Sequence, residues 1–382
     1  MTPDDFAGVA PAPGHFETAG RLTIDLGAIK SNWRMLDELA RSSKTAAAVK
    51  ADGYGLGIEN VVPALWEAGC RIFFVAVLQE ARQVRALAPD AIVYVLDGLA
   101  PDAHRTYHET GIRPVLGSID EIETWSAHCR DIGKKLPAAI HIDTGMNRLG
   151  LEIEETRALG NRADLFEPFD LCLVMSHLAC ADTPDHPINA HQIELFNDLR
   201  APLPFAPASL ANSAGTILAD GYEHDLARPG IAIYGGRAVN DRPNPMQPVV
   251  TVEARILRVR TCEAGTTVGY GAAQRLKRDS RLAILSAGYA DGYIRSAGST
   301  DAHEGGIVHI AHKPAPIIGR VSMDLIAVDV TDIPETDFKT GDYAELLGDR
   351  FTVDDVADRA GTIGYEVLTS LGRRFHRICR DG

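Results

Sequence analysis

The sequence predicts an α/β chain in which an N-terminal (β/α)8 barrel of the TIM type is followed by a mainly β C-terminal domain. Three observations predict it. From Arg21 to about Gly236, short apolar runs alternate with amphipathic stretches, which is the mark of repeated βα units. Polar residues of chemically capable types fall at the ends of those runs, where a barrel gathers its function. At Asn240–Pro248, NDRPNPMQP, the helical period stops, and short β-type runs separated by Gly, Pro and Asp take over. The expected division is a loose leader over 1–20, rich in Pro, Ala and Gly, a barrel domain over 21–245 and a β domain over 246–382. With 382 residues, 45% of them apolar, the chain can bury two cores.

In order, an opening strand Leu22–Leu26 and a helix Ala28–Arg41 precede eight candidate barrel strands. These are Ala46–Val49, Ile72–Val77, Ile92–Leu96, Arg113–Leu116, Ala138–Ile142, Asp170–Ser176, Pro207–Leu210 and Asp225–Ala227, each a short apolar run, the last two weak. A doubly wound open sheet is the competing arrangement, and the positions of the polar residues favour the barrel. The β domain is expected from Val249–Val259, Leu282–Ala287, Ile307–Ala311, Ile317–Ile318, Leu325–Val330 and Tyr343–Leu347. One amphipathic stretch, Val353–Leu371, reads as its helix, although Gly361 and Gly364 weaken it.

The formal net charge of −14 argues against a nucleic-acid partner, so a small anion would need local arginines. No basic-plus-apolar leader and no run of about 18 apolar residues occurs, which predicts a soluble cytoplasmic protein with no membrane association. Six cysteines without CxxC or metal-ligand spacing predict reduced thiols and no metal site.

The chemistry centres on Thr45–Gly57, TAAAVKADGYGLG. Lys50 stands where an apolar run stops and three glycines begin. It serves either as a solvated surface charge or as a desolvated amine able to form a Schiff base, and apolar residues right up to its Cα favour the second. Tyr54 lies in its loop, His141 ends the fifth strand with Arg148 beyond it, and His177 ends the sixth. Asn212 and Ser213 follow the seventh, and Arg228, Gly230 and Ile231 close the eighth. A strand-end histidine alone is more often hydrogen-bonded structure than catalyst, and Ser-Ala-Gly more often a helix cap. Arg228 alone could equally pair with Asp225 on the surface. A Schiff-base lysine, backbone amides and a hydroxyl suited to phosphate, and two arginines on one rim together fit pyridoxal 5′-phosphate.

Several motifs in order then carry a family resemblance. Ala48–Gly57, HIDTGMNRLG, SHLACAD, ANSAG, RPGIAIYG, VGYGAAQ, SAGYADGY, GRVSMD and IGYEV closely resemble the alanine racemase family, from about Arg21 to the C-terminus. The resemblance implies a pyridoxal-phosphate isomerase interconverting L- and D-alanine, for peptidoglycan supply or for catabolism. It also implies a homodimer whose two sites are shared between subunits. Lys50 would carry the cofactor and act as one base, and Tyr270 from the partner's β domain would be the other. His177 would lie against the pyridine ring and Arg228 would face its nitrogen. Tyr54, Ser213, Gly230, Ile231 and Tyr365 would hold the phosphate, with Asn212 in the same loop. Arg148 and the Met323 amide of the partner subunit would position the substrate carboxylate, with Asp324 beside it, and Tyr289, Arg295 and Arg320 would line the entrance. Without the resemblance, Tyr270, Tyr289 and Tyr365 read as half-buried β-domain packing. The alternative activity is a broader amino-acid racemase for serine or basic substrates.

Two positions depart from the family. His141 stands where a carbamylated lysine is frequent, and it cannot form that anion to orient Arg148. Ser209 stands where many relatives carry a histidine behind the pyridine-facing arginine, and serine can still accept a hydrogen bond from shorter reach.

Overall fold

The computed structural model describes residues 17–219 and 221–381. The leader expected over 1–20 lies outside them as far as residue 16, and Gly20 already begins a strand. The chain forms two compact units. One is Leu26–Gln247; the other joins the segment ending at Asp25 to Pro248–Asp381.

In the first unit, seven strands lie parallel in chain order: Ala47–Ala48, Ile72–Val75, Ile92–Val95, Arg113–Leu116, Pro137–His141, Asp170–Met175 and Ala208–Ser209. An eighth, Leu226–Ala227, pairs in parallel with Lys44–Thr45 at the start of the first strand's run. On its other side Asp225 N donates to Ala208 O and Arg228 N donates to Ala211 O, both within 3.0 Å. These bonds close the ring into a barrel and leave no free edge, as the open-sheet alternative would. Parallel strands need crossovers, and helices such as Ile58–Ala68, Leu78–Leu87, Ile119–Ile132 and Ile188–Arg200 supply them. Ala46, Phe74, Tyr94, Val115, Ala139, Leu173, Met175 and Leu226 form one buried cluster drawn from successive strands. Side chains of the size of Phe74 or Leu173 each contribute about 1.5–3 kcal/mol by leaving water.

The second unit is mainly β. Its sheet runs in the order Lys313–Pro316, Ile307–Ile310, Tyr343–Leu347, Val250–Cys262, Gly20–Asp25, His376–Arg380. Ser280–Leu285 pairs with the far half of Val250–Cys262 and with Ile326–Asp329.

Three expectations change here. The opening strand, expected inside the barrel domain, pairs instead antiparallel with Val250–Ala254 and parallel with His376–Arg380. Its own pattern gives the reason: its residues alternate buried and half-buried, as in a sheet covered on one face, whereas Ile72–Val75 and Arg113–Leu116 are buried almost continuously. The single helix expected over Val353–Leu371 is two, Val353–Ala360 and Gly364–Ser370, broken where Gly361 turns to φ 68°. Ile317–Ile318 makes only a bridge from Ile317 to Val328, the neighbouring strand being Lys313–Pro316.

Candidate active site

Lys50 leaves the first barrel strand and enters an unusual turn. Ala51, Asp52, Gly53 and Tyr54 have φ of 53°, 55°, 62° and 56°, so the backbone winds left-handed for four residues before Gly55 at 82°. Residues with a Cβ resist this by about 1–2 kcal/mol each, and the turn persists through its bonds. Gly53 N donates to Val49 O at 3.0 Å, Gly55 N to Ala51 O at 2.7 Å, and the Asp52 carboxylate accepts from Ile58 N at 3.0 Å.

The turn buries Tyr54, whose ring stacks on Tyr234 with centroids 4.4 Å apart. Tyr234 Oη in turn donates to Ala48 O at 2.9 Å, on the strand that delivers Lys50. The Tyr54 hydroxyl reaches Gly230 so closely that a Cβ there would lie 2.1 Å from it. Ser213 Oγ accepts from Gly230 N at 2.8 Å and Ala232 N at 3.4 Å, so hydroxyl and amides converge on one point beside Tyr54. Asn212 works locally, its side chain accepting from Gly215 N at 3.0 Å as a helix cap. Ile231 begins a short 3-10 turn and is fully buried.

Opposite these groups the cations gather. Arg228 is buried; its Nη2 donates to Ser176 O at 2.6 Å and lies 3.5 Å from His177 Nδ1, while Nη1 donates to Ser209 Oγ. Burial pushes its guanidinium down to about 9, still protonated at neutral pH. Lys50 is also pushed down, first by burial and then by Arg148, with Arg228 adding to it, while Asp97 and Glu80 oppose. His177 falls well below its usual value through burial and then Arg228, Lys50 and Arg148. His141 falls to about 4 through burial and then Arg228. Both imidazoles are therefore neutral. Arg148 is exposed and has no hydrogen-bonding or ion-pairing partner among the described residues. A rim with this many cations is built for an anion.

Sequence reasoning missed the residues that hold this rim. Gln192 is fully buried and joins Thr144 Oγ1, His177 O and Ala179 N. Glu80 ties Asp52 N, Ala76 N and Val77 N. Each also reaches a group far away in the chain, Asp52 N for Glu80 and Thr144 Oγ1 and His177 O for Gln192, which no local spacing reveals.

The second unit assembles its own candidates. Tyr270 stands at the tip of a hairpin, Thr267–Val268 against Gln274–Arg275, between Gly269 at φ 76° and Gly271 at φ 73°. These two glycines turn the chain so sharply that the Tyr270 ring projects outward, 69% exposed. Arg320 lies alongside, its Nη1 only 3.0 Å from where a Cβ on Gly271 would sit. Tyr289 N donates to Ser322 O and Ala290 N to Met323 O, both at 3.0 Å, which fastens Tyr289 to the Met323 loop. Asp324 pairs with Arg374 at 2.7 Å, and Arg374 also reaches the buried Asp291 of SAGYADGY at 2.9 Å. Arg295 is exposed in a short turn after Tyr289, and Tyr365 opens the helix Gly364–Ser370.

Two family models cover this arrangement: alanine racemase, N-terminal domain, over residues 24–238, and alanine racemase, C-terminal domain, over residues 249–379. The chain belongs to the alanine racemase family. Alanine racemase from Rhizobium meliloti (strain 1021) is 46% identical over 377 residues, 97% of this chain and 99% of that protein. Among solved structures, alanine racemase from Bartonella henselae, with covalently bound pyridoxal phosphate, superposes with a TM-score of 0.89. It is 39% identical and covers 95% of this chain and 99% of its own. Biosynthetic alanine racemase from Pseudomonas aeruginosa gives 0.88 at 34% identity, with 95% and 99% covered. The family's barrel and β domain are the two units described above.

Proposed function

We propose that this chain is a pyridoxal-phosphate-dependent alanine racemase that interconverts L- and D-alanine by two bases. The observation that carries the reading is the rim of the barrel, where a half-buried lysine whose pKa is lowered by desolvation and by two arginines shares the strand ends with a hydroxyl-amide cradle.

The residues present fit the cofactor. Tyr54 crowds Gly230 so that only a residue without Cβ leaves the cradle open, and the surplus positive charge suits a phosphate. Lys50 would carry the group, Tyr54, Ser213, Gly230, Ile231 and Tyr365 would hold its phosphate, and Arg228 would face its ring nitrogen. When bound, the group withdraws electrons from the substrate's α-carbon and makes its proton acidic.

The rest falls to the chain's own side chains. Arg148, without a carboxylate partner among the described residues, would bind the substrate carboxylate, with Met323 of the partner subunit and Asp324 beside it and Tyr289, Arg295 and Arg320 at the entrance. The lowered pKa of Lys50 keeps its Nζ able to take the α-proton from one face. A hydroxyl must then return a proton to the other face, and the outward-projecting Tyr270 is suited to do so for a second copy of the chain. His177, neutral beside Arg228, keeps positive charge from accumulating at the ring.

A homodimer supports this sharing. Tyr270, Tyr289, Met323, Leu325, Ile363 and Tyr365 are large, apolar or aromatic, and exposed on the second unit of a single chain. Among the described residues no helix is long and apolar enough to cross a membrane. None of the six cysteines forms a disulfide, which fits a reducing cytoplasm. The product would serve peptidoglycan synthesis or alanine catabolism.

Proton NMR in D2O with chiral analysis tests the reading, using L-alanine, L-serine, L-lysine and L-arginine with the cofactor-loaded protein. Loss of the α-proton with inversion for alanine alone is the expected result. Equal rates on the longer substrates would replace it with a broad amino-acid racemase.

A further inference from the structure

The left-handed turn after Lys50 is gripped from outside by a carboxylate of the next βα unit. Glu80, in the first turn of helix Leu78–Leu87, accepts from Asp52 N at 3.3 Å with Oε1. Its Oε2 accepts from Ala76 N at 3.0 Å and Val77 N at 3.5 Å. One oxygen thus holds its own loop and the other the loop that carries Lys50. The device recurs in the same barrel: Glu121, in the first turn of Ile119–Ile132, accepts from Gly117 N at 2.6 Å in its own loop and from Leu99 N at 2.8 Å in the preceding one. Neither carboxylate joins an ion pair among the described residues, so their charge is directed at backbone amides.

The two clasps differ in what they hold. Glu121 fastens Leu99, which lies next to Gly98 at φ 85°, an ordinary glycine turn. Glu80 fastens Asp52, which with Ala51 and Tyr54 is one of three non-glycine residues at positive φ around Gly53. Such a conformation persists only where its surroundings over-determine it.

We propose that Glu80 is a positioning residue for Lys50, clasping the strained turn so that the amine projects from a fixed backbone. Why Lys50 must be fixed rests on the racemase reading above; the clasp itself does not. Glu80 has a second influence through space. With Asp97 it favours the charged form of Lys50, against burial, Arg148 and Arg228.

Hydrogen exchange measured by mass spectrometry on the full chain, with and without pyridoxal phosphate, tests the clasp in Glu80→Ala, Glu80→Gln and Glu121→Ala. In Glu80→Ala, amides of residues 51–57 are expected to exchange about tenfold faster or more, and cofactor release to quicken by a similar factor. Glu80→Gln, which keeps one acceptor oxygen, should fall between. Glu121→Ala should loosen the loops at Leu99 and Gly117 and leave residues 51–57 at the wild-type rate. The visible absorption of the Lys50-bound cofactor should titrate at lower pH in Glu80→Gln, because a negative charge near the amine is gone; loosened packing alone predicts no such direction. Wild-type exchange at 51–57 in Glu80→Ala, or equal loosening there by Glu121→Ala, overturns the proposal. If Glu80→Ala does not fold, wild-type exchange and an unmoved titration in Glu80→Gln overturn it. Exchange in cofactor-free protein reads the clasp whether or not alanine is the substrate, whereas failure of the racemase reading appears in wild-type protein as intact cofactor without α-proton exchange.

Discussion

Arg228 Nη1 donates to Ser209 Oγ at 2.5 Å, and that hydroxyl donates onward to Leu226 O at 2.5 Å. The serine is a relay: it accepts from the guanidinium and passes its single proton to the strand from which Arg228 itself emerges. With Ser176 O taking Nη2, a buried cation is held among the described residues by neutral acceptors alone. A histidine at position 209 is therefore not required to support this arginine.

Ser209→Ala leaves Nη1 of a buried cation without its acceptor. The expected loss is about 1–3 kcal/mol of unfolding free energy, read from urea denaturation. A loss under about 0.5 kcal/mol would mean that another acceptor reaches Nη1.

Gly230→Ala should leave the fold intact and damage the cradle. Its Cβ would lie 2.1 Å from the Tyr54 hydroxyl, and stacking on Tyr234 prevents that ring from retreating. Pyridoxal phosphate affinity by equilibrium dialysis should fall about tenfold or more. Adding Tyr54→Phe to Gly230→Ala removes the clashing oxygen, so the double variant should lose less than the sum of the two singles. Strict additivity would refute the steric account.

What the sequence made legible follows from what is local. Ile92–Val95 and Arg113–Leu116 are apolar runs bounded by turn residues, and the barrel strands form where those runs stand. Lys50, Arg228 and Ser213 were visible because strand ends are marked by the same pattern. Gly20–Asp25 reads as part of the barrel domain by its place in the chain, because its partners, Val250–Ala254 and His376–Arg380, are distant; only its alternation of apolar and polar residues hints at a sheet covered on one face. His376–Arg380 went unread because its charged residues, HRICR, show no apolar run. Glu80 and Gln192 escaped for a related reason: a carboxylate on a helix's first turn looks like any cap until the loop it reaches is known.

The two neutral histidines set a pH dependence of stability. His141 titrates near 4 in the folded chain and near 6.5 unfolded, so the unfolded state binds more protons between those values. Stability is then fully present above about pH 6.5 and declines as pH falls toward 4; His177 contributes with the same sign. His141→Gln should flatten that decline by about 3 kcal/mol across the window, measured by urea titrations at a series of pH values. Parallel profiles for wild type and variant would show that His141 is not protonated on unfolding.

The proposed sharing of active sites between two subunits makes the sharpest prediction about assembly. Lys50→Ala removes the amine from the barrel and Tyr270→Phe removes the hydroxyl from the hairpin tip, and each homodimer should be inactive or nearly so. If each site takes Lys50 from one chain and Tyr270 from its partner, a mixed dimer carries one site with both defects and one with neither. Random reassembly of equal amounts makes about half the dimers mixed, so activity should recover to about a quarter of wild type. If both groups came from a single chain, every site in the mixture would carry one defect and no recovery would occur. Mass spectrometry of the intact dimers verifies that mixing took place, and mixed dimers without recovered activity would place Lys50 and Tyr270 in the same chain's site.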